Sequence, residues 1–142
     1  MRPPALAELG LLHAVELLLR RADAEGSTVS IVVHGDARRL APQSELVLFR
    51  IVQEALNNIV KHAKTDNAII ELFQQDDFAV LSITDHGQGF SMNENHDRIG
   101  HVGLSSMEER AKELGANLII QSARGQGTIV KVENIPVIKT GE

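Results

Sequence analysis

The 142-residue chain contains no cysteine, which excludes disulfides and thiolate metal sites. That absence fits a reducing cytoplasm, the compartment expected for it. No apolar run approaches the roughly 20 residues a bilayer span needs, so no membrane contact is expected. The start, Met1-Arg2-Pro3-Pro4, lacks the apolar core of a signal peptide. An excess of positive charge is missing too. The net charge of -5 argues against a nucleic-acid binder, which needs basic residues to neutralise phosphates. Like charges never form a block, and Arg20-Arg21 reads as the solvated end of a helix. A bound phosphate would therefore need a local site, which points towards metal-assisted nucleotide binding. Aromatic residues supply only 3% of the chain, whereas 43% is hydrophobic and 23% charged, as in a soluble domain with a real core.

Apolar residues at Leu6, Leu9, Leu12, Val15, Leu17, Leu18 and Leu19 predict one helix over about Ala5 to Ala24, ended by Gly26. The β-branched run Thr28 to His34 predicts a strand, and Pro42 precedes a long helix from about Gln43 to Lys64. Ala68 to Gln74 and Phe78 to Thr84 predict an antiparallel hairpin around Gln75-Asp76-Asp77. Asp85 to about Gly100 is rich in Gly, Asn, Asp and His without apolar period, as a functional or mobile loop would be. A helix over Leu104 to Leu114 closes at Gly115, and strands Asn117 to Ser122 and Thr128 to Glu133 flank the turn at residues 123–127. This order predicts an α/β (α+β) two-layer sandwich: a mixed, mostly antiparallel sheet with helices on one face.

Four constellations carry chemistry. Glu54, Asn58 and Lys61 are spaced to share one ridge of the long helix, while Leu48, Val52, Ala55, Leu56, Ile59 and Ala63 face the core. Such a row suits a magnesium-phosphate site. Asn58 would supply a hard oxygen, Lys61 would offset phosphate charge, and Glu54 would orient or deprotonate water. A solvated helix face would present the same pattern. In Asp85-His86-Gly87-Gln88-Gly89-Phe90 the alternate glycines allow close backbone approach, and Asp85 can accept a hydrogen bond from the amino group of adenine. A plain Gly-rich turn is the competing reading. His101-Val102-Gly103-Leu104 opens a helix whose N–H groups can hold phosphate oxygens, or is an ordinary helix start. Gly125-Gln126-Gly127-Thr128 is a hairpin turn that could add the Thr128 hydroxyl to an adenine site.

In this order and at these separations, the four resemble the boxes of the GHKL (Bergerat-fold) ATPases, whose relatives include gyrase, MutL and histidine kinases. Gln53 to Ala63 is similar to the N box, with Asn58 at the Mg²⁺-ligand position and Lys61 and His62 at positions that approach the phosphates. Asp85 to Phe90 resembles the G1 box, with Asp85 at the adenine-reading position, and His101 to Arg110 resembles the G2 box. The short G1–G2 separation and the G-L-x-x-M-x-E-R pattern are similar to NarX/DesK-like sensor histidine kinases. Arg2-Pro3-Pro4-Ala5-Leu6 with Leu9-Gly10-Leu11 resembles the junction after their dimerisation helices.

The resemblance implies ATP and Mg²⁺ as cofactors, with Asn58, Lys61, His62, Asp85, Gly87, Gly89, Gly103, Leu104 and Thr128 contacting the nucleotide. Glu54 would be the catalytic residue, and Gln88 to Ile99 a lid. It implies a junction helix at 1–25, an ATP-binding domain at 26–136 and a frayed tail at 137–142. Two departures matter. Gly100 and Gly103 are three apart where the family often has two, so Gly103 alone carries over. None of the six histidines stands on a helix followed by an acidic residue, as a phosphoacceptor would; His13 is followed by Ala14. The expected protein is thus a monomeric catalytic domain, severed from its phosphoacceptor dimerisation domain. Its expected partners are that domain and a response regulator with a helix-turn-helix output, and a membrane anchor could belong to the full-length kinase. An anti-sigma-factor serine kinase and a non-catalytic nucleotide-sensing module are the alternatives.

Overall fold

The computed structural model describes residues 4–24, 26–35, 39–63, 67–75, 77–87 and 102–137, with backbone alone at Ala5, His62, Ala63 and residues 102–105. Among the described residues, four α-helices and five strands follow one another as α1 (Pro4–Leu9), α2 (Leu11–Ala24), β1 (Thr28–His34), α3 (Pro42–Asn58), β2 (Asn67–Gln74), β3 (Phe78–Asp85), α4 (Val102–Glu113), β4 (Asn117–Ser122) and β5 (Thr128–Pro136). The strands form one sheet in the order β1-β2-β3-β5-β4. Only β1 and β2 run parallel, joined through α3 as a parallel pair requires; the other neighbours are antiparallel. The sheet is mixed and mostly antiparallel, as the order of elements predicted.

Alternation decides which face is covered. Ala68, Ile70 and Leu72 of β2, Ala79, Leu81 and Ile83 of β3, and Val130 and Val132 of β5 are buried on one face. Against it lie α2 on β1, α3 on β3 and β5, and α4 on β4. Leu48, Val52, Ala55, Leu56 and Ile59 supply the core face of α3, as their spacing predicted. The opposite face carries Val32, Glu71, Phe73 and Ile119 with no helix over it among the described residues. There His34 stacks on Phe73 with ring centroids 4.3 Å apart, and its Nε2 lies 3.0 Å from the Glu71 carboxylate.

Three expectations need correction. The first helix is two, because Gly10 takes φ +91° and breaks the chain direction between Leu9 and Leu11. At that φ a side chain is strained, and a Cβ would also lie 2.9 Å from Arg39 Cδ. The break turns Leu9 and Leu17 outward, 57% and 47% exposed, so the predicted stripe is only partly core.

The long helix does not stay α-helical either. Ile59–Ala63 forms a π-turn, wider than the 3.6 residues of an α-turn. Lys61 lies in that π-turn, beyond the α-helical part that carries Glu54 and Asn58. The last strand runs three residues past Glu133. A bulge at Glu133–Asn134, with Asn134 at φ +59°, shifts the alternation so that Ile135 is buried again.

Candidate nucleotide site

The polar end of the sheet is built by register. Asp85, the last residue of β3, lies directly opposite Thr128, the first of β5, and Thr128 lies opposite Ser122 at the end of β4. Cross-strand partners share a face, so the three side chains form a row on the helix-covered side. On the other flank Asp85 pairs with Ala68, whose small side chain fills little of the space beside the carboxylate. Asp85 is only 6% exposed, and its Oδ1 accepts a hydrogen bond from Gly87 N–H at 2.9 Å. That bond curls the chain after β3 back on the carboxylate. Asp85 and Thr128, picked from separate motifs 43 residues apart, are thus brought together.

Gly127 closes the row. It has φ +75°, and a Cβ there would overlap the Asp85 carbonyl oxygen and press on His86. The two glycine-containing motifs are therefore packed backbone against backbone, which only a residue without a side chain permits. Ser122 completes the arrangement: its hydroxyl donates to the Gly127 carbonyl at 2.9 Å and lies 2.8 Å from Thr128 Oγ1. Sequence reasoning missed Ser122. The signal was its place as the last residue of β4, opposite Thr128 across the turn, and that is visible only once the register is known.

The other half is the C-terminal end of α3. This helix begins beside Leu40, which lines a cavity of about 310 Å³ together with Leu9, Leu12, His13 and Leu72. Leu72 stands four residues along β2 from Ala68, so that cavity belongs to the far end of the sheet. The chain leaves the π-turn at Ala63 and enters β2 at Asn67, a span of at most about 14 Å. The C-terminal end of α3 therefore lies towards the end of the sheet that carries Ala68 and Asp85. Glu54 and Asn58 are half-buried and Lys61 is exposed. Asn58 Nδ2 is buried and has no hydrogen-bond partner among the described residues.

Gly89 and the expected lid, like His101, lie outside the described residues. The side chains of His62 and Leu104 do too, and Gly103 is described as helical backbone in the first turn of α4. Among the described residues no three His, Asp or Glu side chains gather as a metal site. No described helix is long and apolar enough to cross a membrane.

The carboxylate at the end of β3, the glycine-threonine turn opposite it and the amide at the end of α3 are residues that the resemblance to the GHKL ATPases singled out. The family profile described as "Histidine kinase-, DNA gyrase B-, and HSP90-like ATPase" matches residues 43–138, and the chain belongs to that family. Among its relatives is the histidine-protein kinase/phosphatase DegS of Bacillus subtilis, 33% identical over 93% of this chain and 36% of DegS. The sensor protein VraS of Staphylococcus aureus is 34% identical over 94% of this chain and 38% of VraS. The sensor histidine kinase YhcY of Bacillus subtilis is 44% identical over 66% of this chain and 24% of YhcY. The chain thus corresponds to little more than a third of the first two at most, and carries a catalytic ATPase domain of the sensor histidine kinase kind.

Solved structures share the fold. The histidine kinase domain of a blue-light activated kinase from Erythrobacter litoralis superposes with TM-score 0.63 at 21% identity, over 87% of this chain and 61% of that one. Full-length ShkA, solved in complex with AMPPNP, gives TM-score 0.71 at 20% identity over 91% of this chain and 30% of its own.

Proposed function

We propose that this domain binds MgATP between the C-terminal end of α3 and the polar end of the sheet, and donates the γ-phosphoryl group to a histidine on a dimerisation domain. The observation that carries the reading is the cross-strand row of Asp85 and Thr128, closed by Gly127. Asp85 accepts from the exocyclic amino group of adenine. Guanine places a carbonyl there, and two acceptors face to face leave the buried carboxylate without its donor. Gly87 and Gly89 let the backbone approach the nucleotide, and the first turn of α4, with Gly103 and Leu104, offers N–H groups to phosphate oxygens.

Asn58 is the residue that would hold Mg²⁺, through its amide oxygen Oδ1; the buried Nδ2 of the same amide is a donor, suited to a phosphate oxygen rather than to the ion. Bound there, the ion would offset the charge of the β- and γ-phosphates. Lys61 and His62 approach the same phosphates from the π-turn. Glu54, one α-turn before Asn58, orients the attacking group. In the transfer the bond from the γ-phosphorus to the β-bridging oxygen breaks and one to a histidine nitrogen forms, so the domain's share is positioning and charge neutralisation. A response regulator with a helix-turn-helix output is the downstream partner this reading implies.

Calorimetric titration with non-hydrolysable ATP and GTP analogues, with and without Mg²⁺, tests it. Wild type should bind the adenine analogue selectively and more tightly with Mg²⁺, and Asp85→Asn should weaken that binding at least tenfold. A folded wild-type protein that binds neither analogue would sink the reading.

A further inference from the structure

Ser122 lies outside the motifs that carry the nucleotide reading, yet its hydroxyl decides what Thr128 can offer a ligand. A serine hydroxyl has one proton to donate and two lone pairs to accept with. The Gly127 carbonyl can only accept, so the 2.9 Å bond between them consumes the single Ser122 proton. The 2.8 Å contact between Ser122 Oγ and Thr128 Oγ1 must then be donated by Thr128. Thr128 is left without a proton for anything else. What it keeps to offer is lone pairs, on the residue directly opposite Asp85.

We infer that Ser122 is a specificity-determining positioning residue, which fixes the Thr128 hydroxyl as a hydrogen-bond acceptor and so makes the base-reading end of the sheet a set of acceptors. This rests on the reading that Asp85 and Thr128 receive the base. A purine edge bearing an amino group satisfies such a surface; one bearing a carbonyl meets acceptors from both strands. Discrimination against guanine is thereby shared between Asp85 and a relay running Thr128 to Ser122 to Gly127. Gly127 anchors the relay because its carbonyl is fixed by the packing of its backbone on Asp85. Without the Ser122 acceptor, Thr128 regains a proton that it can turn towards a guanine carbonyl.

The test is titration of wild type, Ser122→Ala, Ser122→Cys and Ser122→Thr with the ATP and GTP analogues, each repeated in a Thr128→Val background. Ser122→Ala should lower the ATP-to-GTP affinity ratio about tenfold, the weight of one neutral hydrogen bond matched or mismatched, chiefly by strengthening GTP binding. Ser122→Cys, which keeps the volume but hydrogen-bonds weakly, should act alike even where the alanine variant folds poorly. Ser122→Thr should keep the wild-type ratio, and in Thr128→Val the Ser122 substitutions should leave the ratio unmoved. A ratio unchanged by Ser122→Ala and Ser122→Cys, or a change that persists in Thr128→Val, overturns the relay. If Asp85→Asn still weakens adenine binding, the nucleotide reading survives that failure. If Asp85→Asn has no effect, both fall together.

Discussion

One end of the sheet is held by charge and the other by uncharged hydroxyls and a bare glycine. At the far end Glu45, only 2% exposed in the first turn of α3, accepts from Arg39 Nε and Nη2 at 3.0 Å each and from Leu40 N–H at 3.3 Å. The Arg39 guanidinium also reaches the Ala7 carbonyl at 3.5 Å and is pushed further above its ordinary pKa by the hydrogen bond and charge of Glu45. That cluster pins α1 to α3. The near end differs in kind: Asp85 and Thr128 are placed by strand register, and Asn58 Nδ2 has no hydrogen-bond partner among the described residues. Charged groups paired between elements hold a fold together, whereas side chains lined up by register are positioned to meet a ligand.

The largest expected effect that would break this contrast comes from Gly127→Ala. An alanine at φ +75°, overlapping the Asp85 carbonyl, should cost roughly 2–5 kcal/mol in urea denaturation and abolish nucleotide binding. Unchanged stability would mean that the near end is not closed by backbone contact. Glu45→Ala comes next. It leaves the buried Leu40 N–H without this acceptor and should cost about 1–3 kcal/mol, with nucleotide affinity unaltered in the variant that remains folded. A parallel loss of affinity would show the two ends to be coupled rather than separate. The smallest effect is expected on the uncovered face: Phe78→Ser, at a residue 51% exposed, should shift stability by no more than about 0.5 kcal/mol.

Much of this was legible in the residues, and the exceptions have physical causes. The runs Ala68 to Gln74 and Phe78 to Thr84, with the polar turn between them, revealed the hairpin, because a strand's pattern is local. Asp85 and Thr128 could be picked from their motifs, but their pairing depends on long-range register. Ser122 had no motif of its own, being significant only through two hydroxyl contacts. The bulge at Asn134 hid the end of β5 because it shifts the very alternation from which strands are read. The Arg39–Glu45 pair escaped notice since a glutamate in a helix's first turn is ordinarily solvated, and nothing local reveals that this one will be only 2% exposed.

The sheet order bears on when the chain becomes competent. β3 and β5 are neighbours in space, yet Asp85 and Thr128 are separated by 43 residues. Closing so large a loop must precede any gain from the contacts it makes, and pairings of this range are slow to form. The Asp85–Thr128 row therefore does not exist in a partly folded chain, however complete the α3–β3 portion is. During synthesis, residue 85 emerges long before its partner does. Nucleotide should consequently engage only a finished fold, stabilising it by mass action and drawing late, incompletely zipped molecules towards the native state.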